Sequence, residues 1–273
     1  MSPWKRCDSI LWRNEVSAQW GDSVVAVEYG QENSRVIILM HGGGLSWWSC
    51  REAAEILKSR YHVVLPILDG HAGSDRDFSN IESNAREIIE YIERNHGGSV
   101  ELIGGLSLGG QILAEMLAQK KDICRYAVIE SVLVIPMRLT ELLAEPMMKA
   151  SYGLIRREWF SRLQFRALRL KDELYDAYYR DTCRISRENM TAFLKANAGY
   201  RAKRSLEQSQ AKAFIVVGQR EPRQMLRSAR RLHQMLVGSE LTIMKNRYHG
   251  EFSINCAAEY ADWMIGVLEN VHK

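Results

Sequence analysis

The chain has few cysteines, and those it has are unsuited to bridging or zinc binding. Cys7, Cys50, Cys124, Cys183 and Cys256 are odd in number, widely scattered and nowhere spaced C-x-x-C. This excludes a disulfide framework and a cysteine metal site, and it points to reduced thiols in a cytoplasmic protein. Long apolar runs are missing too. Met1-Ser2-Pro3-Trp4-Lys5-Arg6-Cys7-Asp8 leads into no hydrophobic stretch, so neither a secretory signal nor a membrane span is expected. No large charge excess exists either: 273 residues carry a formal +4, too weak and dispersed to imply a nucleic-acid partner. Internal repeats and low-complexity tracts are absent. The remaining character is that of a globular protein, 46% hydrophobic and long enough for one large α/β domain or a domain with an insertion.

Short apolar runs alternate with helical patterns. Ser23 to Tyr29 reads as an outer strand, and Arg35 to Met40 as a strand buried on both faces of a parallel sheet. A helix is expected over Ser49 to Arg60, then a strand over His62 to Leu68 that Pro66 should end early by removing a ladder donor. Asn80 to Asn95 is amphipathic, with Ile81, Ala85, Ile88, Ile89 and Ile92 on one stripe. Further strands are expected at Ser99 to Ile103, Arg125 to Val134, Ala213 to Val217 and Leu241 to Met244. This βαβ spacing implies a mostly parallel sheet with helices on both faces. Residues 136–205 break the rhythm with helical periodicity alone, far too long for a βα loop. They are expected to be a helical insertion folded over the carboxyl edge of the sheet. The division is then a core of residues 1–135 and 206–273 and a helical cap of residues 136–205.

Gly105-Leu106-Ser107-Leu108-Gly109 is a G-x-S-x-G motif between a strand and the helical run Gly110 to Leu117. A serine at such a corner needs a strained backbone, and the flanking glycines remove Cβ atoms that would clash in the turn. Its Oγ is pushed clear of the sheet, and the Leu108 N–H points into the site at a helix N-terminus. Ser107 is therefore the candidate nucleophile. A serine hydroxyl needs a base, and the base needs a carboxylate to orient it. In strand–elbow–helix arrangements the chain order is Ser, acid, His. After Ser107, His272 lies in the terminal tail and His233 within a helix, which leaves His249 in the loop after the last strand. Glu221, in Gly218-Gln219-Arg220-Glu221-Pro222 past the strand ending at Val217, is the candidate acid, with Glu130 its competitor. The plain role of Glu130 would be an ion pair beneath the insertion.

His41-Gly42-Gly43-Gly44 follows the buried strand ending at Met40. Its glycines let backbone N–H groups approach a developing oxyanion, so Gly43 and Leu108 are the expected donors. The loop lacks the Lys-Ser/Thr of a P-loop and the G-x-G-x-x-G spacing, so no nucleotide is expected, nor any other cofactor or metal. His41 is read as a structural hydrogen-bonder beneath the loop, and Asp69 to Asp75 as a structural turn.

In order and spacing these pieces closely resemble the α/β-hydrolase fold superfamily over the whole chain. His41 to Gly44 is similar to its oxyanion loop, Asp69 to Ser74 to the loop after its fourth strand, and Gly105 to Gly109 to its nucleophile elbow. Residues 136–205 occupy the usual cap position. Two positions depart from the pattern: Glu221 stands where Asp is commoner, and Ala72 where glycine is frequent. A serine at the elbow separates the chain from haloalkane dehalogenases and epoxide hydrolases, which resemble this scaffold but use aspartate.

The implied activity is hydrolysis of a small carboxylic ester or related acyl substrate through an acyl-enzyme. C–C bond hydrolysis and acyl transfer use the same groups, and a noncatalytic ligand-sensing scaffold is the rival from another class. Gly42, Trp47 and Met137 are candidate substrate contacts, although Trp47 and Trp48 could equally pack beneath the first helix. Residues 136–205 carry 15 Lys and Arg against 8 Asp and Glu, a net +7, and Arg138, Arg156 and Arg157 are candidates to attract an acidic acyl group. Met137, Met147, Met148, Trp159, Phe160 and Phe165 suit a pocket roof or, at helical spacing, plain core.

Overall fold

Successive residues of the apolar runs point to opposite faces of one sheet, and both faces are covered. In β3 (Val36–Met40), Ile38 and Met40 enter one core layer while Ile37 and Leu39 enter the other. The structure, a computed structural model, describes residues 19–20 and 24–269. Ser23, Cys7 and His272 lie outside the described residues. The remaining strands are β1 (Gln19–Trp20), β2 (Val24–Tyr29), β4 (His62–Ile67), β5 (Val100–Leu106), β6 (Cys124–Glu130), β7 (Lys212–Gly218) and β8 (Glu240–Met244). They form one eight-stranded sheet in the order β1-β2-β4-β3-β5-β6-β7-β8. β2 runs antiparallel to its neighbours β1 and β4, and every other pairing is parallel. This is the α/β-hydrolase fold.

One face of the sheet is covered by α2 (Ile81–Asn95), α3 (Leu108–Gln119) and α8 (Arg223–Met235), through side chains such as Ile92, Ile112 and Leu232. The other face is covered by α1 (Arg51–Leu57) and α10 (Ala257–Glu269), through Leu57 and Met264. Asn80 caps α2 by accepting the Ser83 N–H at 2.8 Å.

Three details differ from the expected elements. β4 runs through Pro66, because its parallel ladder with β3 ends at Val64 and only β2 flanks the proline. β6 stops at Glu130 rather than Val134, because Ser131 takes a left-handed φ of 55° and turns the chain out of the sheet. The first helix begins as a 3-10 turn over Trp47–Cys50 and is α-helical only over Arg51–Leu57.

Between β6 and β7 lie α4 (Arg138–Ile155), α5 (Glu158–Leu168), α6 (Tyr175–Thr182) and α7 (Arg187–Gly199), with no strand among residues 136–205. Buried polar groups tie this segment to the core. Trp48 Nε1 donates to Asp181 Oδ2 at 2.8 Å. Gln111 of α3 donates to the Asn197 carbonyl and accepts from the Asn197 amide, each at 2.9 Å. Glu115, buried on α3, pairs with Lys203. Short α9 (Glu251–Asn255) follows β8 and leads into α10.

Candidate active site

The site gathers at the carboxyl ends of β3, β5, β7 and β8, where a parallel sheet directs its loops to one edge. Ser107 leaves β5 with φ 53° and ψ −111°, and α3 begins at the next residue. A Cβ on Gly105 would sit 2.5 Å from the Gly109 carbonyl oxygen, and one on Gly109 would sit 2.6 Å from the His41 carbonyl oxygen. Only glycine fits those two positions, so the motif spacing makes the corner possible. The Ser107 N–H donates to the Glu130 carbonyl at 2.9 Å and fixes the corner against β6.

The glycine loop lies directly against this corner. The Cβ position of Gly42 is 3.6 Å from Ser107 Cβ, and that of Gly43 is 3.6 Å from Leu108 Cδ2. Two buried histidines hold the loop. His41 Nε2 accepts the Leu68 N–H at 3.1 Å, and His71 Nε2 accepts the Gly44 N–H at 3.0 Å. Acting as acceptors, both rings are neutral there, and burial pushes His41 down to about 3 and His71 down to about 4. Among the described residues, no protein acceptor takes the N–H of Gly43 or of Leu108. Two donors beside Ser107 are therefore available to a ligand.

Glu221 and His249 come together. His249 Nδ1 lies 2.8 Å from Glu221 Oε2. The other carboxylate oxygen accepts the Gly218 N–H and the Ser131 hydroxyl, both at 2.7 Å. The Glu221 side chain is fully buried, whereas that of His249 is 42% exposed and its Nε2 has no protein partner among the described residues. Gly250, next in the chain, packs on Leu106, the residue before Ser107. No hydrogen bond joins Ser107 Oγ to His249.

Glu130 is placed differently. Its Oε1 accepts the Ser253 N–H at 3.3 Å, and its Oε2 is buried without a partner. It forms no ion pair among the described residues, against the expectation of one beneath the insertion. Strand β6 aims its side chain at α9 and Tyr260. Burial pushes its carboxyl up to about 7.

The remaining candidates scatter. Trp47 is buried in the core layer that holds Ala53, Ala54 and Leu57. Met137 is exposed at the start of α4, its N–H bonded to the Ala198 carbonyl at 2.8 Å. Met148 and Phe165 are core, whereas Met147 and Trp159 face solvent. Arg138, Arg156 and Arg157 lie at the two ends of α4, Arg156 with its guanidinium 6.0 Å from the Tyr152 ring. The cations beside the histidine loop are others. Arg169 and Arg220 lie 3.8 and 5.4 Å from the Tyr248 ring, and Arg220 also donates to the Tyr248 hydroxyl at 2.9 Å. No motif marks these two arginines or Ser131; only the folded loops bring them to the site. Among the described residues, no group of three His, Cys, Asp or Glu is placed to hold a metal.

The sequence model of the alpha/beta hydrolase family matches residues 37–263, which include the glycine loop, Ser107, Glu221 and His249. The chain belongs to the alpha/beta hydrolase family. No curated protein sequence matches it. Among solved structures, the family member is similar to an esterase from Thermogutta terrifontis at 15% identity, with a TM-score of 0.75 over 95% of this chain and 98% of the other. An esterase from Exiguobacterium antarcticum is 14% identical, with a TM-score of 0.76 over 90% and 95% of the two chains. The enol-lactonase from Burkholderia xenovorans is 13% identical, with a TM-score of 0.69 over 90% and 96%. At these identities the likeness is one of fold.

Proposed function

We propose that the chain is a serine hydrolase acting on small carboxylic esters or related acyl compounds through an acyl-enzyme. Ser107 is the nucleophile, His249 the general base and then acid, and Glu221 the carboxylate that orients it. The observation that carries this reading is the buried Glu221 carboxylate, held by three hydrogen bonds with one oxygen on His249 Nδ1, beside a serine in a strained elbow. The bond at Nδ1 leaves Nε2 as the nitrogen that takes the Ser107 proton. Ser107 and His249 are not hydrogen-bonded, and in this reading that contact closes as substrate binds. The free N–H groups of Gly43 and Leu108 would hold the tetrahedral oxyanion.

Residues 136–205 serve as the cap in this reading, over a core of residues 1–135 and 206–273. Phe193 of α7 supports it, since its ring stacks on His71 at 4.7 Å and touches the Gly43 position. Exposure of His249 gives water a route to the acyl carbon, which favours hydrolysis over transfer to another acceptor. The esterases and the enol-lactonase of similar fold are consistent with ester or lactone chemistry. Scattered cysteines favour the cytoplasm as its compartment.

The test is turnover of nitrophenyl esters of increasing acyl length by purified protein. Ser107→Ala should lower kcat by at least about 10³-fold with little change in stability. Near-wild-type turnover in that variant would reject the assignment.

A further inference from the structure

Helix α4 has two apolar faces and buries only one. Ala144, Met148 and Ile155 are buried, and at 3.6 residues per turn they share one side of the helix. Leu139 and Leu142 lie on the opposite side and are 69% and 74% exposed, and Met147, 62% exposed, lies between the two sides. Pro146 and Ala150, also exposed, continue that outward stripe without a charge. Helix α5 repeats the pattern: Ser161 and Phe165 are buried, while Trp159 and Leu163 are 62% and 59% exposed on the other side. An ordinary solvated helix puts charge there, and exposed apolar surface on this scale marks an interaction face.

The charge of the segment selects its partner. Residues 138–169 contain seven Lys and Arg against three Glu, and all seven basic residues are exposed. Two copies meeting through this face would bring like charges together. A bilayer with anionic headgroups offers an apolar layer for the leucines, counter-charge for the arginines, and the interfacial zone that tryptophan favours. No described helix is long and apolar enough to cross a membrane, and α4 is anchored in the fold through Met148 and Ile155, so the contact is peripheral. We propose that α4 and α5 form a docking face for an anionic phospholipid surface, with the outward stripe of α4 and Trp159 entering the headgroup layer.

Co-sedimentation with vesicles tests this without turnover, so its outcome is separate from that of the hydrolase assignment. The full chain should bind vesicles of phosphatidylcholine mixed with phosphatidylglycerol far better than phosphatidylcholine alone, and binding should weaken as salt rises. Leu142→Glu and Trp159→Glu should each cut the partition coefficient by about tenfold or more. Lys149→Gln, which leaves the apolar stripe intact, should cut it by about fivefold on anionic vesicles only. Both apolar positions are solvent-exposed, so circular dichroism and Tm should stay unchanged. Absent binding, equal binding to both vesicle types, or undiminished binding by Leu142→Glu would overturn the proposal. So would a dimer in light scattering that Leu142→Glu dissociates, since a second copy would then be the occupant.

Discussion

Ser131 donates its hydroxyl to Glu221 Oε1 at 2.7 Å, and the same Oγ lies 3.4 Å from the Gly250 N–H. One side chain thus touches both the carboxylate and the loop that carries His249. Its left-handed φ of 55° turns it out of β6 toward that position. Loss of the hydroxyl removes one of the three hydrogen bonds that fix the carboxylate against His249. Ser131→Gly suits the backbone and should lower kcat/KM by about tenfold, a charged hydrogen bond being worth ~1.5 kcal/mol or more. Tm should stay close to that of the wild type. A purely structural role would lower Tm and leave kcat/KM close to the wild-type value.

The two buried carboxylates should separate in kinetics. In the proposed triad, Glu221→Gln removes the carboxylate charge beside His249 and should cost on the order of 10³–10⁴ in kcat. Glu130→Gln should cost little, because Glu130 bonds to the Ser253 N–H and not to the imidazole. The opposite ranking in steady-state assays would move the acid to β6.

Glu130 should instead appear in the stability profile. Burial raises its carboxyl from 4.5 to about 7, so the folded state holds this proton more tightly than the unfolded chain does. Its contribution is fully present below about pH 4.5 and is lost as pH rises through about 7. The loss is on the order of 3 kcal/mol. Urea titrations from acid to mildly alkaline pH should show this decline in the wild type and not in Glu130→Gln.

His41 and His71 give the opposite sign. Their pKa values fall from 6.5 to about 3 and about 4, so their contribution is present above about pH 6.5 and is lost as pH falls toward those values. His71→Gln keeps an acceptor for the Gly44 N–H but cannot be protonated. It should lower the slope of stability against pH below about 6 by up to ~1.4 kcal/mol per pH unit. An unchanged slope in urea titrations would mean that His71 is not held neutral.

Much of this was legible in residue order, and the reasons are physical. The strand Arg35 to Met40 and the corner at Ser107 are marked by apolar runs and by glycines that nothing larger can replace. A carboxylate directly past β7 has little choice but the sheet edge, and Glu221 lies there beside His249. The end of β5 was missed, since Gly104 and Gly105 weaken strand propensity while packing closely against Leu39 and the elbow. Ser131 carries no local signature, because its role depends on a left-handed turn and a partner ninety residues away. The outward stripe of α4 was hidden for another reason. Helical spacing shows that Met147 and Met148 lie on different sides of a helix, but not which of two apolar sides is buried.

The proposed nucleophile, Ser107, is open to one direct measurement: intact and peptide mass spectrometry after treatment with a fluorophosphonate. A serine activated by His249, with N–H donors from Gly43 and Leu108, should take up one equivalent of the phosphonyl group, located on the peptide containing Ser107. Ser107→Ala should take up none, and Glu221→Gln should label far more slowly. Failure of the wild type to label, or equal labelling of Ser107→Ala, would remove Ser107 as the nucleophile.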